Sequence, residues 1–209
     1  MKSIRPYVIA LALIFAAGFT TGAFAQTPEA QPIAALDTAL IATMKAGSAN
    51  ASFQSRYDQL DPVVKQTLNL SLILQNSVGV QWSTIPAAQQ AQLEQVFEQF
   101  TVASYVNGFG GYGGQQIQVL PAERDLGAKK IVESQIVPSD GSAPTRLDYV
   151  MADGDAGWQA TDVLFNGTIS KVAIQSSDFS SLVNSGDASQ LIAALKTKVA
   201  TLSGGALQN

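Results

Sequence analysis

The stretch Thr145–Gly167, TRLDYVMADGDAGWQATDVLFNG, decides how the rest of the chain is read. Two runs of alternating side chains flank the turn-forming DGDAG. Leu147, Tyr149 and Met151 share one parity, and Arg146, Asp148 and Val150 share the other. Beyond the turn, strict alternation puts Trp158, Ala160, Asp162 and Leu164 on one face, with Thr161, Val163 and Phe165 opposite. Period-two alternation around a Gly/Asp cluster predicts a β-hairpin. Both of its faces carry large apolar or aromatic groups, whereas a sheet with one wet face keeps that face polar. Both faces therefore need a cover: helices on one, and more chain or a ligand on the other.

Outward from the hairpin, the N-terminal side is helical. Ile33, Leu36, Leu40 and Met44 recur at spacings of three and four and predict a helix ending near Gly47. Phe53, Tyr57 and Leu60 continue a second stripe, with Asn50 as its expected cap. Asp61-Pro62 reads as the start of a third helix. The short apolar run Leu70–Val78 stops at Gly79. Ser83 or Thr84 is placed to cap a longer helix, whose stripe is Leu93, Val96, Phe97 and Phe100 and which extends to about Val106.

Composition changes at NGFGGYGG, residues 107–114. Such a run breaks the helix and allows close backbone approach. It is read either as a phosphate cradle or as a lip carrying Phe109 and Tyr112. The lip is favoured, because no helix N-terminus follows the glycines. Ile117 and Val119 mark a first strand, and 129–137 a second, so the hairpin supplies strands three and four. Ile169–Phe179 leads into a helix reaching Gly186, and a last helix over 188–202 carries Leu191, Leu195, Val199 and Leu202. Helices, then an antiparallel meander, then helices predict an α+β fold: helices packed on a curved, mainly antiparallel sheet of four to five strands enclosing an apolar pocket.

Several function classes are excluded or weakened. Lys2 and Arg5, the apolar run 7–19 and Ala23-Phe24-Ala25 form an expected secretory signal peptide over residues 1–25. Removing those 25 of 209 residues leaves 184, enough for a single domain over residues 26–205, with 206–209 as an expected loose tail. Removing Lys2 and Arg5 turns 12 basic residues into 10 against 16 acidic, a net charge of −6 that disfavours nucleic acid and anionic membrane surfaces. The chain has no His and no Cys, which removes His-dependent triads, thiol nucleophiles and nearly all zinc chemistry. No metal or other cofactor is expected. Asp148 and Asp162 could form a carboxylate pair, but carboxylates in sheets more often hold backbone donors or basic partners, here Arg146 or Lys130. Asp153-Gly-Asp155 lacks the further ligands of a calcium loop and reads as a turn.

Residues 105–179 resemble the MlaC family of periplasmic phospholipid-binding proteins, also called toluene-tolerance proteins. The matching pieces are Tyr105-x6-Tyr112-Gly-Gly-Gln, the strand 131–137, Arg146-Leu-Asp-Tyr149, Gly157-Trp-Gln-Ala-Thr-Asp-Val163, and Gly167-Thr-Ile-Ser170 followed by Ser177-Asp-Phe179. The helical half adds Phe53-x-x-Arg56-Tyr57, Leu60-x-Pro62 and Trp82 followed by Ala88-Gln89. Within the family the chain looks most similar to the hopanoid-associated HpnM branch. Many relatives carry a basic residue just before the Ser-x-Phe motif, where this chain has Gln175 and Ser176.

The resemblance implies a deep pocket for lipid tails. It also implies shuttling of phospholipid or hopanoid across the periplasm by a monomer, between an outer-membrane lipoprotein complex and an inner-membrane ABC transporter with an MCE-domain subunit. An exported lipid-acting enzyme and a ligand-free envelope module are the competing classes. The expected lining is Phe97, Tyr105, Phe109, Tyr112, Ile117, Val132, Ile136, Leu147, Tyr149, Trp158, Val163, Ile169 and Val172. Two tails of about 30 methylenes would need roughly 1,000 Å³, the top of the usual ligand range.

Overall fold

The computed structural model describes residues 26–207. The expected signal peptide and residues 208–209 lie outside that range. Four helices come first: α1 (Gln31–Ser48), α2 (Phe53–Thr67), α3 (Leu70–Val78) and, after a 3₁₀ turn at Gly79–Thr84, α4 (Ala87–Gly108). Then come β1 (Gln116–Leu126), β2 (Lys129–Val137), β3 (Thr145–Gly154), β4 (Gly157–Phe165) and β5 (Ile169–Ser170). Two helices close the chain, α5 (Lys171–Phe179) and α6 (Ser189–Ser203). The strands form one five-stranded antiparallel meander in sequence order. The fold is α+β, with a curved, unclosed sheet.

The charged face of the sheet fixes its orientation. Glu133 on β2 lies directly opposite Asp148 on β3. Two adjacent carboxylates repel, and two arginines resolve the conflict. Arg146 reaches Asp148 at 2.7 Å and Glu133 at 2.5 Å, while Arg124 reaches Glu133 at 2.8 Å and also binds Asp148. Asp148 is fully buried beneath them. The opposite parity, Leu147, Tyr149 and Met151, must then face the helices and join the core.

The β4 half of the hairpin departs from strict alternation. Val150 pairs with Asp162 and Met151 with Ala160, so Thr161 sits in a bulge. The extra residue reverses parity, and Trp158 and Ala160 end on the same side as Val163. The predicted split between these residues is therefore corrected. Asp155-Ala156 form a plain turn closed by Gly157 at φ +81°.

Three helix boundaries also differ from expectation. The cap of α2 is Ser52, which accepts from Ser55 N at 3.1 Å, whereas Asn50 takes a left-handed φ of 60°. Pro62 starts no helix and lies inside α2. Leu60 and Val64 stay fully buried on either side of it, and the exposed proline forfeits one backbone bond on the wet side. Pro86 takes the N-cap position of α4 without a side-chain cap, and Thr84 Oγ1 accepts from Gly186 N instead. The helix after Ile169 ends at Phe179, well before Gly186. Leu207, in the expected tail, donates its N–H to Ser203 Oγ and packs against the core.

The glycine loop after α4 is pinned to α1. A Cβ on Gly47 would lie 2.0 Å from Gly110 O. Tyr112 N donates to Ser48 Oγ at 2.7 Å, and Arg56 Nη1 donates to Val106 O at 3.0 Å. Within the loop, Phe109 N donates to Tyr105 O and Gly113 N to Gln115 Oε1, so three of its backbone N–H groups are used by the protein itself, as in a lip and not a phosphate cradle. Gly47→Ala should lower stability by about 1–3 kcal/mol, the usual range for overpacking, because backbone must move. Urea unfolding measures it, and an unchanged midpoint would contradict the close approach.

Candidate functional site

A cavity lies between the apolar face of the sheet and the helices. Its volume is about 300 Å³. The α2–α3 junction supplies Leu68 and Leu70, and α3 supplies Ile73. Five residues of α4 recur at helical spacing along one wall: Phe97, Phe100, Thr101, Ser104 and Tyr105, with Phe109 just past its end. The sheet contributes Ile136, Thr145, Leu147, Asp162, Val163 and Phe165, and α5 contributes Lys171, Val172 and Gln175. Phe97, Leu68 and Leu147 are buried and form the floor; Thr145 and Phe165 are exposed and mark the mouth.

Seven of the thirteen expected residues line this cavity: Phe97, Tyr105, Phe109, Ile136, Leu147, Val163 and Val172. Val132 and Tyr149 are fully buried in the adjoining core, and Ile117 and Trp158 pack half-buried against it. Tyr112 lies in the glycine loop with the Lys45 ammonium 5.1 Å from its ring centroid. Ile169 is half-exposed on β5, opposite Phe165. The α4 wall was visible in principle as an i, i+3, i+4, i+7, i+8 stripe. Leu68 was not, because it lines the cavity only through the extended kink that joins α2 to α3. There Asn69 N donates to Ala160 O at 2.9 Å.

The polar groups at this site have assigned work. Asp162 accepts from Val163 N at 2.8 Å, from Val172 N at 3.1 Å and from Ser170 Oγ at 2.5 Å. Ser170 in turn caps α5 by accepting from Ala173 N at 2.9 Å. Asp162 thus anchors the start of α5 to the sheet, and Asp148 is held by arginines. The two carboxylates form no catalytic pair. Among the described residues no group of acidic side chains is arranged to hold a metal, and no helix is long and apolar enough to cross a membrane.

Beside the cavity, Asp37 on α1 is buried against β2. Its Oδ2 accepts from Ser134 Oγ at 3.1 Å, and its Oδ1 and the nearby Tyr149 hydroxyl have no partner among the described residues. Burial pushes the Asp37 carboxyl up to about 7, against the smaller downward pull of Ser134. The phenol of Tyr105 is raised to about 12 by burial and by Asp37. Tyr149 is raised further, again chiefly by burial.

The chain matches the MlaC protein family over residues 35–197 and belongs to it. A comparison with curated proteins finds no match. Among solved structures, the fold matches a phospholipid-binding protein from Ralstonia solanacearum in complex with a phospholipid. The TM-score is 0.71 at 19% identity, covering 85% of this chain and 99% of the other.

Asp37 binds its proton more tightly folded than unfolded. Its contribution to stability is therefore fullest below the ordinary carboxylate range, is lost as pH rises from about 4 to about 7, and is level above that. Asp37→Asn should stabilise the protein at pH 8 by up to about 4 kcal/mol, with the difference vanishing near pH 4. Urea midpoints of both proteins across that range test this, and a difference that does not change with pH would refute it.

Proposed function

We propose that this protein is a periplasmic carrier that binds phospholipid and moves it between the outer membrane and an inner-membrane transporter. One observation carries the reading: an apolar cavity, open at one end, in a protein of the MlaC family. The same fold in the Ralstonia solanacearum protein holds a phospholipid, which supports a lipid as cargo here. The absence of His and Cys and the engagement of Asp148 and Asp162 favour binding over hydrolysis. An outer-membrane lipoprotein complex and an MCE-domain ABC transporter are the partners this reading requires. Hopanoid is the alternative cargo.

The cavity is smaller than two full tails require. At about 300 Å³ it sits at the bottom of the usual ligand range, well below the roughly 1,000 Å³ expected from the sequence. A two-tailed cargo therefore needs α3 and α5 to move off β4, or a second tail lying along the exposed rim at Phe165.

Native mass spectrometry of the exported protein tests the reading directly. A stoichiometric lipid is expected, whereas an empty protein would favour a ligand-free envelope module. A paired substitution tests the cavity. Leu147→Asp faces open space that water can enter once lipid is gone, so the variant should fold and carry no lipid. Met151→Asp, four residues along the same face in close-packed core, should cost several kcal/mol and unfold much of the population. Thermal unfolding and bound-lipid content decide it. A folded Leu147→Asp protein with normal lipid would place the cargo elsewhere.

A further inference from the structure

The cavity is apolar on most of its surface, but one turn of α5 is not. Lys171 and Gln175 are four residues apart, so they share a face of that helix, and both line the cavity. Lys171 has no acidic partner within ion-pair distance among the described residues. The nearby carboxylate, Asp162, is occupied by two backbone N–H groups and the Ser170 hydroxyl.

Gln175 is only 6% exposed. Burying an amide is costly unless its hydrogen-bonding groups are used. Its contact with the protein is through Ser77 Oγ, 3.2 Å from Oε1, and Ser77 also donates to Ile73 O at 2.7 Å. A hydroxyl has one proton, and Ile73 lies closer to it. Whichever way the amide is turned, at least one N–H of this cavity-lining residue is left without a protein acceptor among the described residues.

We propose that Lys171 and Gln175 form the head-end subsite of this cavity, which takes an anionic oxygen group of the cargo. A lipid phosphate and a fatty-acid carboxylate share that chemistry: acceptor oxygens for the amide N–H and negative charge for the ammonium. The apolar wall of α4 takes the chain. The assignment rests on the lipid-carrier reading and adds an orientation and a selectivity to it. Cargo enters with its charged end at the first turn of α5, and a neutral lipid with the same tails is disfavoured.

The test is a competition for loading. The delipidated full-length mature protein is mixed with vesicles holding equal amounts of dioleoyl phosphatidylglycerol and dioleoylglycerol. A parallel set pairs oleate with oleyl alcohol, and the bound species are counted by mass spectrometry. The wild type should favour the anionic member by about tenfold, the worth of one charged hydrogen bond. Lys171→Gln, at a half-exposed position, should bring the ratio towards one, and Gln175→Glu should turn it against the anion. Gln175→Met preserves volume and should also lower the ratio. Preference in the phosphatidylglycerol set alone identifies phosphate as the recognised group, and preference in the oleate set alone identifies carboxylate. Lipid bound in equal ratio by the wild type and by Lys171→Gln overturns this subsite and leaves the carrier reading standing. A wild type that takes up nothing from any vesicle overturns both.

Discussion

The structure depends on four charges on one face of the sheet. Glu133 and Asp148 sit opposite each other across β2 and β3, where like charges repel. Arg124 and Arg146 bridge them, which makes the pairing favourable only in this register. A slip of one residue would turn Asp148 into the core and Leu147 out to water. The turn at Asn166-Gly167 locks the same cluster from the side. Both residues are left-handed, and a Cβ on Gly167 would lie 3.2 Å from Asp148 Oδ2. The charges thus specify which face the helices cover more than they add stability, since both arginines are partly exposed.

With the apolar face committed to the helices, close packing would be the default, and α4 and α5 do not achieve it. A sealed, dry void of 300 Å³ would cost about 7 kcal/mol at about 24 cal/mol per Å³, comparable to a domain's whole stability. An opening relieves part of that cost by admitting water, but the lining offers that water few polar partners. The sheet is therefore held away from the helices by deliberate contacts. Asp162 and Ser170 fix the first turn of α5, and Asn69 ties the α2–α3 kink to Ala160. These anchors set a gap that side chains do not fill.

How much of this was legible in the sequence follows from what each element obeys. The stripes at 33–44 and 93–100 and the strand at 129–137 obey a single period and sit where that period puts them. Pro62 misleads because local chemistry favours a helix start, while Leu60 and Val64 are buried together only if the helix continues. Strict alternation puts Trp158 on the face opposite Val163, and one bulged residue at Thr161 reverses it. The same limit governs the site. Leu147 and Val163 are found by parity, but Lys171 and Gln175 are polar residues on a short helix. Nothing in their spacing marks them as cavity walls until β4 and α3 are placed beside them.

On the carrier reading proposed above, a modest, partly open cavity suits exchange with a membrane better than a deep, closed one. Sequestering two acyl tails of about 30 methylenes from water is worth about 25 kcal/mol, but the bilayer supplies that stabilisation already. A cavity that held the tails much more tightly than a bilayer would never release them. Here the floor is apolar, built from Leu68, Phe97 and Leu147, so tails gain little beyond what lipid offers. Any bias between cargo and membrane must then come from the few polar contacts at the mouth and from the work of parting α3 and α5 from β4. Both are of the order of a few kcal/mol, small enough for a docking partner of the proposed kind to reverse.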